Sequence, residues 1–291
     1  RAATGLPAAR VLAEPARRNT AMAVALAATR VASRHPDAVL AVLPADHHIP
    51  DARAFAADIR RAARAARDAQ VLVTLGIRPT RPDTGYGYIE VGAPAGRAHP
   101  KLRRVRRFVE KPDAARARRY LRHGGYLWNA GIFVWTARAI LEEIECWVPE
   151  LHRALAAVRA EGRRLRADVL ARAYRRAPSL PIDVGVLERS RRVWTLPVRW
   201  AWSDVGTWES LAVQFGVEAK RSHVVAGELV HDDRGGNLVW GRNGRPVALL
   251  GVEGLAVVDT GDALLVARLD RSDEVRGIVR SLKARGRSDV T

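Results

Sequence analysis

At 291 residues, 48% of them hydrophobic, the chain is long enough for one large domain, or one domain with a small appendage, around a sizeable core. No uninterrupted apolar run approaches the roughly 18 residues of a membrane span and no charged-then-apolar leader is present, which predicts a cytoplasmic protein with no membrane partner. The net charge of +18 raises nucleic acid as a partner. However, lysine occurs only at positions 101, 111, 220 and 283, and the excess is arginine spread over Ala/Arg-rich stretches such as RAARAARD, without an aromatic-interleaved or other nucleic-acid motif. No nucleic-acid partner is therefore expected, small anionic ligands are compatible, and so is a homodimer.

In chain order, an apolar run ending near Leu12 reads as a strand, and AMAVALAATRVASRH, with Asn19 and Thr20 as candidate caps, reads as a helix. With the apolar strand 39–43 these predict a βαβ unit. A helix follows over about 51–68, with Phe55, Ile59, Ala62 and Ala66 on one face, and then VLVTLGI (71–77), a strand apolar on both faces. A turn-rich stretch, RPTRPDTGYGYIEVG, leads through a basic strand to RFVEKP; Asp113 caps a helix ending at Gly124-Gly125. YLWNAGIFVW (126–135) has strand composition, and Thr136 opens helices that continue to about residue 177. Cys146, the single cysteine, excludes an internal disulfide and a cysteine-cluster metal site, and within LEEIECWV it is expected in the core.

From about 222 to 268, short β-rich runs (HVVAGELV, GNLVWG, PVALLGV, LAVVDT, ALLVARL) alternate with Gly/Asp/Asn turns. RSDEVRGIVRSLKARG then closes the chain as an amphipathic helix with Ser272 as its cap. The predicted fold is α/β: a Rossmann-like, mostly parallel sheet over 1–220, then a small β-rich, β-helix-like region and closing helix over 221–291.

Ligands of open α/β sheets sit outside the carboxyl ends of the strands, where PADHH follows the strand 39–43. WSDVGTW (202–208) follows another apolar strand. If Asp46 and Asp204 converge to about 4 Å they repel by roughly 4 kcal/mol at an effective dielectric near 20, a penalty that a divalent cation removes, and hard oxygen ligands favour magnesium. Each aspartate serves equally well as a turn or helix cap. The adjacent His47 and His48 point different ways on an extended chain, which suits structural histidines better than zinc ligands. EPARRNT (14–20) offers the amides of a helix start to an anion, with Glu14, Arg18 and Asn19 able to bond a base or ribose. Glu110 beside Lys111 could bind hydroxyls and a phosphate, or form a surface ion pair. The glycines of TGYGYIE allow a turn or a close ligand approach, and Asn129, polar within an apolar run, must find partners if buried.

The order of these segments, EPARRNTAMAVALAA, VLPADHHI, GIRPTRPDTGYGYIEVG, RFVEKP, GGYLWNAGIFVW, PIDVGVLER and WSDVGTW, with VEGLAVVDTGDALLVA beyond them, resembles the mannose-1-phosphate guanylyltransferases, also called GDP-mannose pyrophosphorylases, from about residue 11 to the closing helix. The resemblance implies a Rossmann-like nucleotidyltransferase domain followed by a β-helical region, using Mg2+ to join GTP and mannose 1-phosphate into GDP-mannose and pyrophosphate. It implies Asp46 and Asp204 as metal ligands and Lys111 on the sugar phosphate. Glu110, Asn129, Asp183 and the backbone of Gly85 and Gly87 would surround mannose, with Glu14, Pro15, Arg18 and Asn19 bordering the guanine nucleotide. The alternatives are another sugar-1-phosphate nucleotidyltransferase and a non-catalytic sugar-nucleotide binder. The sequence departs from the family pattern at Met22, Val184 and Arg189, and Arg1 falls downstream of the family's glycine-rich phosphate loop, so the expectation is a truncated record or an incomplete triphosphate site.

Overall fold

Residues 5, 7, 10–162, 165–232, 234–242, 244–287 and 289 are described by a computed structural model. The chain divides into two units, Arg1–Ala45 with Ile49–Ala201 and Asp46–His48 with Trp202–Thr291.

The first unit begins with α1 (Asn19–Ala32), whose alanine-rich face, with Met22 and Leu26, is buried and lies against α4 (Ala137–Trp147). Small side chains let the two helices approach closely. Strand β1 (Val39–Val42) follows, then α2 (Ala52–Ala69), opened by Asp51, whose carboxylate accepts the Ala54 amide, a cap contributing about 1 kcal/mol. Strands β2 (Leu72–Ile77), β3 (Tyr88–Pro94) and β4 (Arg103–Val109) precede α3 (Ala114–His123), capped by Asp113 and ended at Gly124, as read from the sequence. Strand β5 (Tyr126–Thr136) is long and mostly buried, and Thr136 caps α4 through the Ala139 amide. Helices α5 (Pro149–Ala154), α6 (Ala156–Ala160) and α7 (Ala167–Arg176) lead to a π-helical turn, Asp183–Leu187, and strand β6 (Val193–Pro197).

The sheet order is β1-β5-β2-β6-β4-β3, with β5 also meeting β3. The expected α/β class holds, but the pairing is not mostly parallel: β2–β6 is parallel, whereas β5 runs antiparallel to β1, β2 and β3, and β4 antiparallel to β3 and β6. An apolar run reports burial on both faces and carries no direction, so β5 inserts between β1 and β2 unannounced.

Three local expectations also need correction. The βαβ unit does not form among the described residues, because Val11 and Leu12 are each 47% exposed and lie outside any strand; residues 6, 8 and 9 of that run are outside the described set. Asn19 and Thr20 do not cap α1, whose N-cap position is Arg18, with no side-chain bond to the helix's own first-turn amides. Cys146 is exposed, in the last turn of α4 beyond Ile144, the last residue that helix buries.

In the second unit, α8 (Trp208–Gln214) is held by a capping box between Thr207 and Ser210. Strands β7 (His223–Ala226), β8 (Glu228–Asp232), β9 (Leu238–Gly241), β10 (Pro246–Leu249), β11 (Leu255–Asp259) and β12 (Leu264–Arg268) follow. β7, β9 and β11 stack in parallel, as do β8 and β10, so successive turns of chain add a strand to each of two sheets: a short β-helical winding. Its core is Val239, Leu249 and Val257. Buried Asn237 staples the turns, donating to the Gly235 and Val252 carbonyls and accepting the Leu255 amide. The closing helix α9 (Val275–Ala284) is preceded by a 3-10 turn, Leu269–Glu274, and Ser272 does not cap α9; its hydroxyl accepts the Glu209 amide instead.

Candidate functional site

In the first unit, Gly87, Glu110, Lys111, Asn129 and Asp183 come together. Asn129, on β5, is 8% exposed, and its Oδ1 accepts from the Thr74 hydroxyl of β2 at 2.9 Å and from the Gly131 amide at 3.2 Å. These bonds fix the amide orientation, so Nδ2 donates to Asp183 Oδ1 at 2.9 Å. Burial pushes the Asp183 carboxyl above the usual aspartate range, against the Asn129 bond and the Lys111 charge. Glu110 is raised as well, by burial first and then by the Asp183 charge, with Lys111 opposing. Lys111 Nζ lies 3.5 Å from Glu110 Oε1, and its side chain is 63% exposed. Gly87 is needed for this approach, because a Cβ there would stand 2.5 Å from Glu110 Oε2. Gly85 sits in the preceding turn, donating its amide to Asp83 at 2.8 Å. Ionised carboxylates, which only accept, beside one exposed ammonium match a ligand bearing hydroxyl donors at one end and an anion at the other.

The segment 14–20 is tied to α7 and to the π-helical turn. Arg18 Nε donates to the Tyr174 carbonyl at 2.7 Å, and the Tyr174 hydroxyl donates to Glu14 Oε1 at 2.8 Å. Tyr174 is 1% exposed, and burial and the Glu14 carboxylate push its hydroxyl far above the usual tyrosine range. Pro15 is exposed just beyond Glu14. The Thr20 hydroxyl accepts the Ile182 amide at 2.9 Å, and the Ala21 amide donates to the Leu180 carbonyl at 3.2 Å. Asn19 Oδ1 accepts the Thr20 amide. Two amides of the helix start are thus already engaged, leaving fewer for an anion than the sequence suggested.

In the second unit, His48 and Ser203 exchange backbone hydrogen bonds of 2.8 and 3.1 Å, an antiparallel bridge that aligns Asp46–His48 with Trp202–Asp204. The Trp202 indole donates to His47 Nδ1 at 3.1 Å, with the rings edge-to-face. Burial lowers the His47 pKa, while both Asp46 and Asp204 act to raise it, so one imidazole lies in the field of the two carboxylates. Asp204 Oδ1 accepts the Gly206 amide at 3.3 Å, and a Cβ at Gly206 would meet Asp204 Oδ2 at 2.8 Å. Among the described residues, no group of three or more His, Cys, Asp or Glu side chains is arranged to hold a metal ion.

Backbone strain marks the same segments. Among the described residues the non-glycine positive φ values are Asn19 (61°), Gln70 (50°), Lys111 (45°) and Val205 (50°). Gln70 is the left-handed cap of α2. The other three lie in RNTA, VEKP and SDVG, where a left-handed residue costs about 1–2 kcal/mol and must be held by its surroundings.

A protein-family model of nucleotidyl transferases matches residues 6–218. The chain belongs to the nucleotidyl transferase family. A second model, the MannoseP isomerase/GMP-like beta-helix domain, matches residues 227–282, from β8 through most of α9. The alginate biosynthesis protein AlgA of Pseudomonas aeruginosa is 38% identical over 96% of this chain and 58% of its own length. The mannose-1-phosphate guanylyltransferase of Escherichia coli is 36% identical over 96% of this chain and 59% of its own. The chain therefore spans less than two thirds of the length of these curated relatives. A crystal structure from Thermus thermophilus, described as a mannose-1-phosphate geranyltransferase, superposes with a TM-score of 0.81 at 36% identity, over 94% of this chain and 78% of that one. No helix among the described residues is long and apolar enough to cross a membrane.

In this nucleotidyl transferase, sequence reasoning missed Glu188 and Tyr174. Glu188 Oε1 accepts the Glu110 amide at 2.8 Å across 78 positions, and Tyr174 lay within a helix read only for its outline. Glu188 had a signal, its spacing from Asp183 within PIDVGVLER, whereas Tyr174 stood out only as an aromatic residue in an arginine-rich helix.

Proposed function

We propose that this chain transfers GMP from GTP to α-D-mannose 1-phosphate, giving GDP-mannose and pyrophosphate. The observation that supports this most is the cluster of Glu110, Lys111, Asn129 and Asp183, which offers hydroxyl acceptors beside one ammonium group. Likeness to proteins named mannose-1-phosphate guanylyltransferase supports the choice of substrates. In this reading Glu110, Asp183 and Asn129 orient mannose with the backbone of Gly85 and Gly87, Lys111 holds the sugar phosphate, and Glu14, Pro15, Arg18 and Asn19 border the guanine nucleotide.

The attacking group is a phosphate oxygen already ionised at neutral pH, so no general base is required. It forms a bond to the α-phosphorus of GTP as the bond to the bridging oxygen of pyrophosphate breaks, and the chain's part is in-line positioning and charge neutralisation. Nucleotidyltransferases of this kind generally use a divalent metal, and an all-oxygen pair of carboxylates fits Mg2+. Asp46 and Asp204 would hold it, and it would supply neutralisation of phosphate charge. The working boundary is proposed near residue 220, with the nucleotidyl-transfer chemistry before it, and the cytoplasm, which holds GTP and sugar phosphates, as the place of action. Pyrophosphate release from GTP with mannose 1-phosphate tests the proposal. Equal turnover with ATP or UTP, or with glucose 1-phosphate, would reject the substrate assignment, and no turnover with any pair would reject catalysis by this chain.

A further inference from the structure

We propose that Glu188 is a positioning residue that sets Glu110 and Lys111 through their backbone. Its carboxylate Oε1 accepts the Glu110 amide at 2.8 Å, and the next residue, Lys111, holds a φ of 45° immediately before Pro112. A residue preceding proline is ordinarily extended, so this conformation needs an external restraint, and the Glu188 bond is applied one peptide away.

The restraint depends on the π-helical turn. Asp183 and Glu188 are five residues apart, which in an α-helix would put them about 140° apart, at roughly 100° per residue. Over Asp183–Leu187 the chain instead forms the wider turn, and the Glu188 amide donates to the Asp183 carbonyl at 2.9 Å. Both carboxylates are thereby turned toward the same cluster, one meeting the Asn129 side chain and the other the Glu110 backbone. Gly185 permits the turn's close packing, since a Cβ there would lie 2.8 Å from Leu180 Cδ1 and 3.2 Å from Val148 Cγ2. The segment's entry is fixed by the Thr20 hydroxyl on the Ile182 amide. Glu188 itself is exposed and touches no part of the ligand in this reading, so its contribution runs through the two residues it positions.

That Glu110 and Lys111 grip a sugar phosphate rests on the proposed function; that Glu188 fixes their backbone does not. The experiment pairs Glu188→Ala with Glu188→Gln in the 291-residue chain, reading amide hydrogen exchange at Glu110 and titration with mannose 1-phosphate. Glu188→Gln keeps an acceptor oxygen and discards the charge. Exchange at Glu110 is expected to speed up at least tenfold in the alanine variant and stay close to the parent in the glutamine variant, with sugar-phosphate affinity following the same order and GTP affinity unchanged in both. Unaltered Glu110 exchange in the alanine variant overturns the proposal, as does equal impairment of the two variants, which would make charge rather than the bond responsible. If the parent chain fails to bind mannose 1-phosphate, the functional reading falls and Glu110 exchange alone decides the role of Glu188.

Discussion

Replacing Gly87 by alanine separates ligand binding from folding. The new Cβ would stand 2.5 Å from Glu110 Oε2 and 3.3 Å from both Asn129 Cβ and Phe108 Cε1. Gly87 is not among the residues with positive φ, so alanine suits the backbone. The carboxylate is the flexible partner and must retreat by about 1 Å to reach ordinary contact distance. An off-rotamer glutamate costs roughly 0.5–1.5 kcal/mol, which at about 2–4 °C per kcal/mol lowers the melting temperature by only a few degrees. Loss of one hydrogen bond to a charged acceptor costs about 1.5–3 kcal/mol of binding, or roughly 10–150-fold in affinity. Calorimetric titration with mannose 1-phosphate, alongside thermal melting, reads both quantities. Undiminished affinity in a well-folded variant would refute the placement of Glu110 against the ligand. A collapse in melting temperature beyond about 10 °C would show that the backbone, and not the carboxylate, had to yield.

Other consequences are as direct. Asp204→Asn should lower turnover by about 100-fold or more with an unchanged melting profile, and near-parental activity in that variant would end the metal role. Tyr174→Phe removes the donor to Glu14 and should raise the KM for GTP roughly 2–12-fold, at about 0.5–1.5 kcal/mol, while leaving that for mannose 1-phosphate alone; a change confined to the sugar phosphate would contradict this. Thr20→Val leaves the Ile182 amide without its acceptor and should cost about 1–3 kcal/mol of stability in urea unfolding, an expectation that an unmoved midpoint defeats. Because burial raises the Asp183 pKa above 3.8, the folded chain holds that proton more tightly than the unfolded chain does. Stability should therefore fall as pH rises from near 3.8 through the raised pKa, and Asp183→Asn, which keeps the acceptor oxygen, should flatten that fall; parallel urea midpoints for parent and variant across pH would count against it.

Much of this was legible in the sequence because certain residues report local physics. Asp113 and Thr136 were readable as caps, since a cap needs only its own next few amides. The run that became β2 was readable as a buried strand and that of β5 as a strand by composition, but neither burial nor composition carries direction, and so the antiparallel insertion of β5 was not legible. Asn19, Thr20 and Ser272 misled for a common reason: each has a side chain suited to capping, and Thr20 and Ser272 give their hydroxyls to distant amides while Asn19 adopts a left-handed backbone. The members of the acidic cluster were recognisable from the order of their segments. Their mutual contacts were not, because Asn129–Asp183 and Glu188–Glu110 join positions more than fifty residues apart.

The widened turn at Asp183–Leu187 also limits how this segment can change over evolutionary time. Swapping a side chain within it alters one contact, whereas inserting a residue would turn one acid by roughly 100° and release either the asparagine or the Glu110 backbone. Apart from Gly185, variation here should therefore be tolerated in identity and resisted in lengthening, so that the spacing of the two acids outlasts the residues that fill it.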